Sequence, residues 1–89
     1  MTDDFTTLLE TTNEDLKWQL LVGQESATDM LLDLYNLAPS DSIRRSITEA
    51  IKGLQGLTVV RTHALRLELN NLRSVHQTVL INRPVLQAS

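Results

Sequence analysis

The 89-residue sequence contains no cysteine and only three aromatic residues, Phe5, Trp18 and Tyr35. The missing cysteine excludes disulfides and thiolate metal sites, and it leaves the compartment open with the cytosol favoured. Because aromatics are so few, the core must be aliphatic, which suits helix packing better than a β-sandwich. No apolar run approaches the roughly 18 residues of a membrane span, and the acidic N-terminus differs from the basic start of a signal peptide. We therefore expect a cytoplasmic protein without a membrane span.

The charge is unevenly distributed along a chain whose net charge is −3. Residues 1–40 carry Lys17 as their single cation against eight carboxylates, whereas residues 41–89 carry seven cations against three carboxylates. One interpretation is that an acidic first helix packs antiparallel on a basic second half. The other is a basic surface for nucleic acid, or an acidic surface for a basic partner.

A heptad pattern organises the first half of the chain. Apolar and small residues recur at steps of four and three from Leu16 to Leu37, which predicts one long helix at 13–38 with a single apolar stripe. Thr11 and Glu14 fit a capping box at its start, and Pro39 stops it.

Two features flank or interrupt this helix. Residues 1–12 are predicted to form a mobile acidic arm, or a small helix folded against the body and capped by Asp3 or Asp4. Gly23 lies on the apolar stripe, where it either permits close approach of a second helix or is a tolerated flaw that costs about 1 kcal/mol.

The second half begins with a tight turn, Pro39-Ser40-Asp41-Ser42, in which Ser40 or Asp41 caps the next helix. Because the connection is short, the two helices are predicted to form an antiparallel hairpin within one domain of 1–89. The predicted hairpin core consists of Leu16, Leu20, Ala27, Met30, Leu34, Leu37, Ile43, Ile47 and Leu54.

The apolar pattern then changes phase, since the step from Leu57 to Leu65 is eight residues instead of seven. We expect helix 2 to occupy 41–82, either continuous and mildly bent or broken near Gly56 into a third helix, with a tail at 83–89. The continuous helix is slightly favoured because no proline or polar loop intervenes. A strand alternative stays open, because Thr58, Val59, Val60 and Thr62 are β-branched and because the alternation of residues 65–69 before Asn70-Asn71 is a hairpin-like signal. No internal repeat is evident in the sequence.

A search for chemistry gives mostly negative results. His63 and His76 are too far apart for a helical metal pair, and no glycine-rich phosphate loop is present. We therefore expect no enzyme activity, no metal site and no cofactor. Arg44, Arg45 and Lys52 superficially fit a recognition helix, but the overall acidity argues against nucleic acid.

The second heptad pattern supplies the candidate binding site. A simple hairpin leaves it uncovered, so the N-terminal arm, a fold-back at Gly56 or another chain must cover it. We favour capture of a partner helix or self-association, with Arg66 and Arg73 steering an acidic partner. The apolar residues predicted to bind the partner are Leu65, Leu69, Leu72, His76 and Val79.

Three segments within residues 7–62 carry a family resemblance: Thr7-Leu8-Leu9-Glu10, the turn Pro39-Ser40-Asp41, and the segment from Glu49 to Val60 with its small and leucine residues. Together they resemble the small helical-hairpin co-chaperones that hold needle subunits of bacterial type III secretion systems. The resemblance implies a cytosolic bacterial protein that binds a second chaperone and keeps an aggregation-prone subunit from polymerising.

The sequence thus predicts an all-α fold and a small non-enzymatic interaction module, an assembly factor, chaperone or adaptor that binds another protein or itself. The alternative is a DNA-binding transcriptional regulator that uses the basic second half.

Overall fold

A computed structural model of the chain describes residues 3–81. The all-α expectation holds for most of these residues, but a small two-stranded antiparallel sheet is also present. The elements are α1 (Asp4–Leu16), β1 (Leu21–Gly23), α2 (Gln24–Leu37), α3 (Asp41–Leu54), β2 (Val59–Arg61) and α4 (Thr62–Ile81).

The predicted helix at 13–38 is wrong, because α1 ends at Leu16 and the chain becomes extended at β1. Tight backbone bonds close α1: the Lys17 N–H donates to the Glu14 carbonyl, and the Gln19 N–H donates to the Leu16 carbonyl. The heptad pattern misled the prediction because the apolar residues before and after the break face the same core.

The N-terminal arm forms a helix in place of a mobile segment. Asp3 is the N-cap of α1, and its carboxylate accepts a 2.6 Å hydrogen bond from the Thr6 N–H. Phe5 and Leu9 are buried, so α1 packs on the body, which was the alternative considered for these residues. The proposed capping box of Thr11 and Glu14 is wrong, since both lie inside α1. Residues 1 and 2 lie outside the described residues.

The turn between α2 and α3 follows the sequence prediction. Ser40 is the N-cap of α3, and its hydroxyl accepts a hydrogen bond from the Ile43 N–H. Pro39 lies between the helices and stops α2. The two helices pack on each other as the expected hairpin.

The favoured continuous helix at 41–82 is wrong, because α3 ends at Leu54 and β2 follows. Gly56 has a φ of +89°, a left-handed conformation that ends the helix and favours glycine. The eight-residue step in the apolar pattern thus marks a break. The strand alternative is confirmed for Val59–Arg61 and is wrong for residues 65–71, which lie in α4. The described part of α4 reaches Ile81, and the predicted tail at 83–89 lies outside the described residues.

The two strands pair around one central contact. Val22 lies opposite Val60, and both side chains are buried. Backbone bonds extend the pairing at both ends: the Gln24 N–H donates to the Thr58 carbonyl, and the Thr62 N–H donates to the Leu20 carbonyl. Gly23 is the N-cap of α2 and has nothing within 4 Å of a hypothetical Cβ, so it does not mediate a close helix contact.

The structure contains an internal repeat that the sequence analysis missed. The helix–strand–helix unit α1–β1–α2 is followed by α3–β2–α4, with a spacing of 38 residues between Val22 and Val60. Buried residues recur at this spacing and stand in equivalent places, as in the pairs Phe5/Ile43, Leu9/Ile47, Leu16/Leu54, Ala27/Leu65, Leu31/Leu69 and Leu34/Leu72. The strand pair therefore lies on an approximate two-fold axis that relates the halves.

Each helix contacts one helix of its own half and one helix of the other half. α1 packs on α4 and α2 packs on α3, while α1 also contacts α2 and α3 also contacts α4. One continuous core results, to which every element contributes a buried aliphatic or aromatic residue.

The two glycines near the end of α3 provide a matched test of the break. Gly56→Ala should lower the free energy of unfolding by about 1 kcal/mol, because alanine is strained at positive φ. Gly53→Ala should raise it by about 0.5 kcal/mol, because Gly53 is helical and a Cβ there meets open space. Urea unfolding at low protein concentration measures both, and a neutral Gly56→Ala would contradict a required left-handed residue.

Candidate interaction surface

The predicted partner-binding leucines of the second apolar pattern lie in the core of the described fold. Leu65, Leu69 and Leu72 are each at most 1% exposed and belong to the same core cluster as Phe5 and Leu9. Both α1 and α3 pack on α4, so two of the three coverings considered from the sequence are observed, the N-terminal arm and the fold-back at Gly56. These leucines are therefore not available to a partner unless α1 detaches.

The two arginines expected to steer an acidic partner instead bond to α1. Arg66 Nε donates a 2.7 Å hydrogen bond to Asn13 Oδ1, and Arg73 Nη2 donates a 3.0 Å bond to Glu10 Oε1. Asn13, which is buried, also donates to Asn70 Oδ1 at 2.9 Å. The expected pairing of acidic first half with basic second half therefore occurs between α1 and α4.

His76 lies at the far end of the same interface. It is 7% exposed, and its ring meets that of Phe5 edge to face, with the ring centres 5.3 Å apart. Its Nε2 lies 3.4 Å from an Asp3 carboxylate oxygen, an ion-pair distance when the imidazole is protonated. The side chain of Val79, also predicted to bind a partner, lies outside the described residues.

Asp3 has two roles, because it caps α1 and its carboxylate lies next to His76. The hydrogen bond from the Thr6 backbone lowers the pKa of Asp3, and the nearby His76 lowers it further, while partial burial opposes both. The ionised carboxylate therefore stabilises α1 at its first turn, where the helix dipole also favours negative charge.

The predicted hairpin core is largely correct but contains two errors. Leu20 is 88% exposed and Leu37 is 40% exposed, because the first lies in the loop before β1 and the second at the end of α2. Met30 is partly buried against the core. The residues confirmed as buried are Leu16, Ala27, Leu34, Ile43, Ile47 and Leu54.

Five of the nine large apolar side chains that are exposed among the described residues lie in the two strands or in the loops before them. Trp18 is 85% exposed and precedes Leu20 in the α1–β1 loop. Leu21 and Val59 lie on the outer face of the sheet, and Leu57 lies in the α3–β2 loop. We call these five residues the strand-loop surface. The heptad pattern places Leu20 in the predicted core. Trp18 lies off this pattern, and no role is predicted for it.

An apolar groove lies beside this surface, between α3, β2 and α4. Its volume is about 350 Å³, and its small lining residues are Ala50, Gly53 and Ala64. Leu57 and Val59 of the strand-loop surface form part of its wall. A more open concavity near Tyr35 and Arg44 is lined mainly by charged and polar residues.

The described residues hold no group of three or more His, Asp or Glu placed to bind a metal ion. Within residues 3–81, every helix is too short or too polar to cross a bilayer. None of the known family models, curated proteins or solved structures compared with this chain matches it.

Leu69 and Leu67 on α4 form a matched pair for testing the core assignment. Leu69→Ala should lower the free energy of unfolding by about 2–5 kcal/mol, because it removes a fully buried side chain. Leu67→Ala should change it by less than about 0.5 kcal/mol, since Leu67 is 55% exposed. Urea unfolding followed by circular dichroism measures both. Equal small effects would mean that Leu69 is not covered by α1.

The Asp3 cap predicts a pH dependence with a defined sign. Folding lowers the pKa of the Asp3 carboxyl. The stability that the ionised carboxylate contributes is therefore fully present above the ordinary carboxyl pKa of about 4. It is lost as the pH falls through the pKa of the folded state. Asp3→Asn keeps a capping side chain without the charge, so the stability difference between wild type and this variant should shrink from pH 5 to pH 2.5. Asp3→Ala should cost about 1 kcal/mol at pH 5. A pH-independent difference between wild type and Asp3→Asn would contradict the assignment.

Proposed function

We propose that this protein is a non-enzymatic protein–protein interaction module, an assembly factor or adaptor, and that its binding site is the strand-loop surface with the adjoining groove. The observation that carries the proposal is the exposure of Trp18 and Leu20 in the loop before β1, together with an apolar groove that Leu57 and Val59 line. Tryptophan and other large apolar side chains at a surface are typical anchors of protein interfaces.

The position of these residues supports the proposal. They lie at the junction of the two repeats, where backbone bonds of Leu20 and Thr58 to the starts of α4 and α2 hold the loops in place. An exposed aromatic residue on a fixed loop loses little conformational entropy on binding. This is a different site from the second apolar pattern, which α1 covers.

The nucleic-acid alternative has less support among the described residues. Arg44 pairs with Asp41 at 2.6 Å, and Lys52 lies 3.6 Å from Glu49. The Arg44 guanidinium lowers the pKa of Asp41, which keeps the neighbouring carboxylate charged. Basic side chains that already face carboxylates are poorly placed to neutralise phosphates. The chaperone role implied by the family resemblance stays a prediction.

The proposal predicts that binding depends on the exposed loop. A tagged bait carrying Trp18→Ala and Leu20→Ala should lose a stoichiometric protein ligand, either another chain or an untagged copy, that the wild-type bait retains from nuclease-treated host lysate. Loss of anchor residues at an interface typically weakens binding by more than about thirtyfold. Both residues are exposed, so thermal unfolding of the variant should match wild type within a few degrees.

Leu67→Ala serves as the control, because it removes an exposed leucine of α4 outside the strand-loop surface. It should retain the ligand. Ligands that disappear on nuclease treatment would favour the nucleic-acid alternative, and a protein ligand retained equally by all three baits would contradict the assigned surface.

A further inference from the structure

We propose that the occupant of the α3–α4 groove is Trp18 of a second copy of this chain, so that two copies form a two-fold dimer through reciprocal loop-into-groove contacts. The inference rests on the proposed function and deepens it by naming the partner.

The projecting element is the α1–β1 loop. Trp18 is 85% exposed and is the only tryptophan of the chain, and Leu20 beside it is 88% exposed. Burial of an aromatic side chain removes about 150–250 Å² of surface from water. Because Trp18 is exposed in the monomer, its burial in a dimer would contribute a large hydrophobic free energy to association. The loop itself is anchored, because the Thr62 hydroxyl donates to the Gln19 carbonyl.

The receiving element is the groove around Gly53. Gly53 lies inside α3, where glycine costs about 1 kcal/mol relative to alanine. Nothing lies within 4 Å of a hypothetical Cβ at this position, so no contact within the described chain requires glycine there. A groove of about 350 Å³ beside it has room for one large side chain. The missing side chain keeps that space open for a group from outside.

The charges favour a second copy over an unrelated occupant. Arg61 and Glu68 border the groove, and neither forms an ion pair with another described residue. Asp15, in the last turn of α1 beside the loop, forms no ion pair with another described residue and offers Arg61 the opposite charge, whereas Lys17 of the loop already pairs with Glu14 at 2.7 Å. Since one chain carries both the loop and the groove, two copies related by a two-fold axis satisfy both contacts at once and leave no open end.

The test uses the purified full chain and the single tryptophan as its probe. Wild type should form a dimer by sedimentation velocity between about 1 and 200 μM, with a concentration-dependent blue shift of tryptophan emission. Trp18→Ala removes the inserted residue, and Gly53→Leu fills the groove. Each variant alone should be monomeric, with its dimer dissociation constant raised by more than about thirtyfold.

Mixing the two variants gives the sharpest readout. Trp18→Ala keeps an open groove and Gly53→Leu keeps its tryptophan, so the mixture can form one of the two contacts. Adding the tryptophan-free variant should shift the emission of Gly53→Leu to shorter wavelength and produce a heterodimer. The double variant Trp18→Ala/Gly53→Leu has neither element and should produce no shift. Both single variants should show the helical content of wild type by circular dichroism.

A wild-type chain that stays monomeric throughout this range would overturn the dimer, as would a dimer that neither variant weakens. The dimer would also be overturned if both variants are folded and mixing them produces no shift of tryptophan emission. Failure of the dimer is distinguishable from failure of the proposed function, because a Trp18-dependent protein ligand of different sequence would leave the proposed function standing.

Discussion

The structure depends on one short antiparallel contact, the pairing of β1 with β2 around Val22 and Val60. The two buried valines contribute roughly 1.5–3 kcal/mol each, and the backbone bonds at Gln24 and Thr62 tie the strands to the starts of α2 and α4. A two-stranded sheet alone is marginal in water. Here α2 and α4 pack against the strands, and the buried valines join the common core, so the sheet and the helices stabilise each other.

The same contact explains why short helices suffice. α1, α2 and α3 contain 13 or 14 residues, a length at which an isolated helix is marginal. Each becomes stable by packing its apolar face on a helix of the other half, as α1 does on α4. The hydrogen bonds of Asn13 and Glu10 to α4 fix the position of α1 along α4, because a shifted helix would leave the buried asparagine unpaired.

The repeated architecture also positions the residues of the proposed binding surface. Both loops that precede the strands carry exposed apolar residues, while the strands turn one side chain inward and the flanking ones outward. The halves are not identical at this surface: Trp18 stands where the second half has Gly56, and Asp15 stands where it has Gly53. In the proposed dimer, the first half thus supplies the projecting side chain and the second half supplies the space.

Sequence reasoning located the buried faces better than the elements that carry them. Ile43, Ile47 and Leu54 were assigned correctly because the cap after Pro39 fixes where the helix begins, and the apolar spacing then fixes which residues face the core. Leu20 was misassigned because heptad spacing persists across β1, and periodicity alone cannot detect a three-residue strand. The buried role of Leu69 required knowing that α1 folds back over it, a tertiary contact that no local pattern encodes. Trp18 was the available signal for the surface, since a lone tryptophan off the apolar stripe has no place in the predicted core.

The central claim is that extended segments at 21–23 and 59–61 divide the chain into two equivalent halves. Backbone NMR assignment tests it most directly. We expect strand-type Cα secondary shifts at Leu21–Gly23 and Val59–Arg61, together with cross-strand contacts between Val22 and Val60. Helical shifts that run without interruption from α1 into α2 would contradict it and restore the long helical hairpin.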